Sequence, residues 1–380
     1  MTDLRRIAYI TGTRADFGLM ESTLQRIAAD TEMHLDVIVT GMHLLTEHGM
    51  TIRDIEASGL HIAGVVPIVQ GRATGTLMAQ NIGRILEGLT GKLDHLRPDL
   101  VLLLGDRGEM LAGAIAALHL NIPVAHIHGG ERSGTVDEPI RHAISKLAHF
   151  HFVATSESRE RLVRMGEDPA SIHVTGAPGL DGLQNLASHD RAALFASHGL
   201  DPARPTALLL YHPVVQESTK SANNTAIVLS ALQELDLQVL AFMPNSDAGG
   251  SEIADLVQKH SATSGKWRFV THLPRTAFAS FLREADVLVG NSSSGIIEAA
   301  SFGTPVVNIG SRQNLRERNA NVIDTPGDSA AQIIAAISSA LELGRLPSVN
   351  IYGDGHAGAR IAQLVKTVPL AGLGAKTNAY

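Results

Sequence analysis

Residues 122–146 read IPVAHIHGGERSGTVDEPIRHAISK. Residues 122–128, apolar and β-branched behind a proline-marked turn, have the composition of a short buried strand. From about Glu138 the spacing predicts a helix, with Pro139 in the first turn, where its missing N–H removes no helical hydrogen bond. Between strand and helix runs a loop with glycines at 129, 130 and 134. Around that loop stand His126, His128, Glu131, Arg132, Asp137, Glu138, Arg141 and His142. A strand–loop–helix passage so dense in titratable groups has the pattern of an acid–base site, since open α/β sheets bind ligands beyond the carboxyl ends of their strands.

The same alternation extends upstream. Residues 4–10 read as a strand that passes through TGTRADFG (11–18) into a helix of period 3.6 on Met20, Leu24, Ile27 and Ala28. Backbone N–H groups at that helix start favour anions, and Arg14 adds a guanidinium fork for a phosphate. The glycine spacing is not the dinucleotide fingerprint, so NAD is not implied. Residues 35–40 form a second strand ending in Gly41-Met42-His43; 62–68 form a third, and 76–96 a long helix. Residues 100–104 are apolar throughout, as in a strand buried on both faces. They deliver Gly105-Asp106-Arg107-Gly108-Glu109, in which Asp106 is either a helix N-cap or a catalytic carboxylate. Its proximity to the 122–146 loop favours the second reading. Strands at 151–154 and 172–175 complete a doubly wound parallel half.

Residues 186–205 are less regular, and DPARP (201–205) is a rigid break between domains. Beyond it the pattern restarts, with strands at 207–210, 238–242, 267–270, 285–289 and 305–309. The first ends in Tyr211-His212-Pro213, followed by a polar loop at 216–224. The fourth leads into Ser292, Ser293, Ser294 and Gly295, small residues and hydroxyls at a helix start that suit a phosphate. Glu298, one turn on, suits ribose hydroxyls. Arg312, Arg316 and Arg318 follow the fifth strand, and a last helix at about 357–365 is expected to fold back on the first domain. The divisions are thus 1–190, 205–350 and 356–368, without a countable internal repeat.

Composition bounds the rest. A chain of 380 residues, 44% hydrophobic, has material for two cores, and with 4% aromatic residues those cores are aliphatic. The absence of cysteine excludes disulfides, thiolate metal sites and thiol nucleophiles. A formal charge of −7 argues against a nucleic-acid binder. No apolar run is long enough for a signal peptide or a membrane span, so a cytoplasmic protein without membrane partners is expected. His126 and His128 lie on one strand face and offer a metal site with Asp106 or Glu131. A hydrogen-bonded pair lining the pocket is the preferred reading, and no metal is expected.

Together TGTRADFG (11–18), VTGMH (39–43), GDRGE (105–109), HIHGGERSGTVDEPIRHAISKLAH (126–149), GNSSSGIIEA (290–299) and IGSRQ (309–313), with Arg316 and NVID (321–324), carry a resemblance. The chain resembles, over nearly its whole length, the hydrolysing UDP-N-acetylglucosamine 2-epimerases of bacterial sialic acid synthesis. That resemblance implies two Rossmann-like doubly wound α/β domains facing a cleft, as in B-type (GT-B) glycosyltransferases. It implies conversion of UDP-N-acetylglucosamine and water to UDP and N-acetylmannosamine, without a cofactor, in an assembly of two or four copies. Asp106, Glu131 and either Asp137 or Glu138 become the catalytic carboxylates. Arg14, His43, His128, Arg141, His212, Ser292, Ser293, Ser294, Gly295, Glu298, Arg312 and Arg316 become substrate contacts. Leu315 departs from the family's RQ-x-GR pattern, which has glycine there. Two alternatives share these features: the same chemistry on a UDP- or GDP-linked 2,4-diacetamido-2,4,6-trideoxy sugar of legionaminic-type pathways, and a glycosyltransferase of the same fold.

Overall fold

A computed structural model describes residues 4–379 apart from 72–73, 134–136, 215–218, 246, 248, 272, 371–372 and 374–375. Gly134 of the central loop and the start of the 216–224 segment therefore lie outside the described residues. Seven strands form the first sheet: β1 (Arg5–Thr11), β2 (Met33–Val39), β3 (Ile62–Val65), β4 (Leu100–Leu104), β5 (Val124–Ile127), β6 (Phe150–Val153) and β7 (Ile172–Val174). Six form the second: β8 (Thr206–Leu210), β9 (Gln238–Phe242), β10 (Trp267–Val270), β11 (Val287–Gly290), β12 (Val306–Ile309) and β13 (Val322–Thr325). All pairings are parallel, in the orders β3-β2-β1-β4-β5-β6-β7 and β10-β9-β8-β11-β12-β13. Each order reverses at its first strand, so the loops after β1 and β4, and after β8 and β11, part to leave a crevice. Two Rossmann-like halves result.

Helices cover both faces of each sheet. Those of the first half are α1 (Arg14–Ala29), α2 (Ile52–Ala57), α3 (Gly75–Leu96), α4 (Gly108–His119), α5 (Asp137–Leu147) and α6 (Ser156–Arg164). Between the sheets come α7 (Leu183–Leu186) and α8 (Arg191–Ser197). The second half has α9 (Ser221–Glu234), α10 (Gly250–Thr263), α11 (Arg275–Glu284), α12 (Ser293–Ile297) and α13 (Ala330–Leu343), and α14 (Ala357–Thr367) ends the series. Alternation along β1 sends Ile7 and Tyr9 to one core with Met20, Leu24 and Ile27, and Ala8 and Ile10 to another with Ile85, Leu89 and Met110. Ile361 and Val365 of α14 join the first of these cores. Arg5 Nη1 fastens the helix by donating to the Val365 and Val368 carbonyls at 2.7 and 3.0 Å. Among the described residues no helix is long and apolar enough to cross a membrane.

Local expectations shift at four places, the first being a sixth strand, β13, which edges the second sheet where the sequence marked only the NVID motif at 321–324. The third strand stops at Val65 instead of 68. β5 starts only at Val124, because Pro123 has no N–H to give a ladder, and ends at Ile127, because His128 turns to φ +63°. The stretch expected to be irregular holds α8, whose cap Asp190 accepts the Ala193 N–H at 3.0 Å. Its Phe195 stacks on Phe281 of α11 with ring centroids 5.6 Å apart, and that burial stabilises a short helix that propensity alone would not hold.

Candidate active site

The loops after β4 and β5 lie side by side because their strands pair in register, Leu103 with His126 and Leu104 with Ile127. Gly105 at φ +86° and His128 at φ +63° break both chains at the same level, which brings Asp106 and Glu131 together. His126 locks the two loops. Its Nε2 donates to the Gly105 carbonyl at 2.7 Å, and its Nδ1 lies 3.1 Å from Ser145 Oγ on α5. Burial pushes its pKa down to about 3, so the ring is a neutral clamp with its proton on Nε2. Because His128 leaves the strand at positive φ, the two imidazoles reach different partners and do not converge on one point.

Glu131 is 3% exposed, and its oxygens take hydrogen bonds from His128 Nδ1 and from Arg316, in the loop after β12. Burial alone would raise its pKa; Arg316 and then His128 more than offset that and hold it at about 2. Asp106 accepts from Arg141 of α5. The same guanidinium donates to the Glu131 carbonyl at 3.1 Å and to Ser133 Oγ at 3.4 Å. Arg316 also comes within 3.9 Å of Asp106. Arg316, from the opposite half, thus stands between the two carboxylates, while Arg141 ties Asp106 to the Glu131 backbone.

Asp137, the first residue of α5, lines a cleft of about 590 Å³ between the halves together with Arg107, Glu109, Asn245 and Asp247. Arg107 spans this cleft, 3.4 Å from Glu109 and 3.3 Å from Asp247. Most of the remaining wall is apolar and includes Met42, Leu45, Ile68, Met78, Ile82 and Ile140. Glu138 takes another course: it accepts the Ser133 N–H at 2.7 Å and lies 3.7 Å from His142, bracing the loop.

On the second half, the His212 N–H donates to Asn291 Oδ1 at 2.7 Å, and Asn291 Nδ2 returns a bond to the His212 carbonyl at 2.9 Å. The loops after β8 and β11 are stitched together in this way. His212 Nδ1 accepts the Asn245 N–H at 3.2 Å, which leaves Nε2 as the protonated nitrogen of a ring that burial, then Arg312, keeps neutral with a pKa of about 3. Ser292 caps α12, and Gly295 lets that helix sit on β11 and β12, since a Cβ there would meet Leu288 and Val306 at 3.0 Å. Arg312 and Gln313 both donate to the Asn291 carbonyl, at 3.2 and 3.1 Å. Glu298, 2% exposed, is bonded to Arg275, which also donates to the Gly179 carbonyl at 2.8 Å.

The β1–α1 turn differs from the sequence reading in one respect. The N–H groups of Gly12 and Thr13 are directed inward to Asp16 Oδ2, at 3.0 and 2.8 Å, and so are not offered to an anion. What the turn presents is the half-buried Arg14, whose electrostatic neighbours include Asp54 and Arg275. His43 is fully buried behind the turn, with Nε2 2.9 Å from Thr11 Oγ1 and Nδ1 2.9 Å from Thr51 Oγ1. Burial lowers its pKa to about 4. Leu315 is not among the non-glycine residues at positive φ, so the departure from glycine there costs no backbone strain.

The structure therefore gathers Asp106, Glu131, His128, Arg141 and Arg316 into one hydrogen-bonded group, with Asp137 on the adjoining wall. Arg312 and His212 meet around Asn291, next to the turn at 292–295. Sequence reasoning passed over Arg107, Asp247 and Arg275. Arg107 had a signal, its place beside Asp106 in GDRGE; Asp247 and Arg275 belong to no motif and are recruited by folding alone.

A family model described as UDP-N-acetylglucosamine 2-epimerase matches residues 25–366. The UDP-N,N'-diacetylbacillosamine 2-epimerase (hydrolyzing) of Legionella pneumophila is 48% identical over 378 residues, 99% of this chain and 100% of that one. The UDP-N-acetylglucosamine 2-epimerase of Neisseria meningitidis is 33% identical over 353 residues, 93% of this chain and 92% of that one. Among solved structures, that of a Neisseria meningitidis UDP-GlcNAc 2-epimerase bound to UDP-GlcNAc superposes with a TM-score of 0.80 at 18% identity, covering 95% of this chain and 99% of that one. The last likeness is one of fold.

Proposed function

We propose that this chain, which belongs to the UDP-N-acetylglucosamine 2-epimerase family, is a 2-epimerase of the hydrolysing kind acting on UDP-linked N,N'-diacetylbacillosamine, a 2,4-diacetamido-2,4,6-trideoxy sugar. One observation carries the substrate: 48% identity, end to end, to a Legionella protein of that name, against 33% to a UDP-N-acetylglucosamine 2-epimerase. The apolar wall beside Asp137 supports it. A methyl at C6 and an acetamido group at C4 suit Met42, Ile82 and Ile140 better than two hydroxyls do.

The chemistry explains why such a site is built. The C2 proton is not next to a carbonyl, so it is removed only as the nucleoside diphosphate leaves from C1, giving a glycal. Water then adds at C1, and a proton returns to C2 on the opposite face. In this reading residues 1–190 supply the acid–base groups: of the carboxylates Asp106, Glu131 and Asp137, one accepts the C2 proton and another returns one to the opposite face. Residues 205–350 hold the leaving diphosphate through His212, Arg312 and the turn at 292–295, with Glu298 on the ribose and Arg14 facing them from the first half.

The test is a comparison of UDP-N-acetylglucosamine with UDP- and GDP-linked diacetamido-trideoxy sugars, in D₂O containing ¹⁸O. The UDP-linked diacetamido sugar should turn over at least about tenfold faster. The free sugar should carry deuterium at C2 and early ¹⁸O at C1, while UDP gains none. Preference for UDP-N-acetylglucosamine would remove the substrate assignment, and ¹⁸O in UDP would remove the elimination.

A further inference from the structure

We propose that His34, Asp36 and His61 form a binding site for a divalent transition metal of the zinc class, at the end of the first sheet away from the cleft. His34 and Asp36 are alternate residues of β2 and so project from one face. His61 immediately precedes β3, and its carbonyl accepts the Val37 N–H at 2.9 Å, which holds it beside Asp36. His34 Nε2 and His61 Nδ1 each lie 3.1 Å from the same oxygen, Asp36 Oδ1. One ligand atom from each residue falls within 4.8 Å of the others.

That spacing is the edge of a coordination shell. Metal–ligand bonds of about 2.1 Å place neighbouring donors about 3.0 Å apart in an octahedron and about 3.4 Å apart in a tetrahedron. Two imidazoles on one carboxylate, with water in the remaining positions, make a borderline-soft N₂O donor set suited to Zn²⁺ rather than Mg²⁺ or Ca²⁺. The surroundings also have the form of a ligand shell. Asp36 is 1% exposed, and its other oxygen, Oδ2, lies 3.4 Å from Arg6 Nη2, which leaves Oδ1 for the ion. The two histidine side chains are 43% and 63% exposed, so an ion can enter and the rings can close the last gap between them. The cleft loops follow the other end of β2, beyond Val39. The ion would therefore tie β2 to the edge strand β3 and take no part in turnover.

The test is a titration of the metal-stripped full chain with Zn²⁺, by calorimetry and by competition with a zinc indicator, for wild type, His34→Gln, His61→Gln and the double variant. Wild type should bind one ion per chain that each single change weakens at least tenfold. Both histidines are exposed, so the metal-free variants should melt like wild type, and all four proteins should turn over alike. Zinc should raise the melting temperature most for wild type, less for each single variant and not for the double variant, because it binds only the folded site. Co²⁺ in place of Zn²⁺ gives a visible spectrum that reports imidazole ligation independently of stability. Absence of saturable binding, or equal affinity in wild type and the double variant, overturns the site.

Discussion

Glu131 and Asp16 are both buried carboxylates, yet the protein pulls them in opposite directions. Arg316 and His128 overcome burial at Glu131 and hold it at about 2, whereas at Asp16 burial outweighs four hydrogen bonds and lifts it to about 6. A depressed carboxylate stabilises the fold above its ordinary pKa of about 4.3 and loses that contribution as pH falls toward 2. The difference in urea midpoint between wild type and Glu131→Gln should therefore shrink across that window. Turnover of the variant should drop by about 10² or more at neutral pH, with little change in UDP affinity. For Asp16 the sign reverses: the native state keeps its proton longer than the unfolded chain, so stability falls as pH rises from about 3.9 to 6. Asp16→Asn should flatten that slope in urea midpoints measured from pH 4 to 7, and an unchanged slope would mean that Asp16 is ionised throughout.

At the scale of elements, the site depends on two loops that leave adjacent strands at the same level. Gly105 and Gly130 both have positive φ, but they are needed for different reasons. A Cβ on Gly130 would lie 2.4 Å from the Ser158 carbonyl oxygen at the start of α6, whereas one on Gly105 meets nothing within 4 Å. Gly105→Ala should cost about 1–2 kcal/mol from the left-handed backbone alone. Gly130→Ala should cost more, because α6 must also shift, and should remove activity by displacing Glu131. Thermal melts of the two variants decide this, and equal losses would count against close packing of the loop on α6. His126→Ala should leave the Gly105 carbonyl without its donor, at about 1–3 kcal/mol, and should lower kcat more than it weakens UDP binding.

At the scale of the whole molecule, bonds crossing the cleft join the halves: Arg316 to Glu131, Arg107 to Asp247, and Thr155 to Glu317. They hold a closed arrangement in which Arg316 completes the carboxylate group of the opposite half. Arg316→Gln should loosen that closure and leave Glu131 with one partner fewer. Small-angle scattering should show a larger radius of gyration for the variant without ligand, and a compaction on UDP that wild type shows less. An identical radius in both proteins would mean that closure does not depend on this pair.

The alternation of apolar runs with 3.6-period segments determined two doubly wound sheets, because each pattern is local and repeats at every strand. The dense loop at 126–142 and the GDRGE turn were legible for the same reason: their titratable residues are neighbours in the chain. Local sequence said nothing of where the backbone breaks from the strand, so His126 and His128, alike on paper, became a neutral clamp and a partner of Glu131. Propensity likewise missed α8, which only burial of Leu194 and Phe195 makes worth forming. The recruitment of Asp247 and Arg275, the pairing of Glu131 with Arg316 and the burial that lifts Asp16 were decided by tertiary structure. Desolvation and ion pairing depend on which distant groups fold into the same few ångströms, and no spacing along the chain records that.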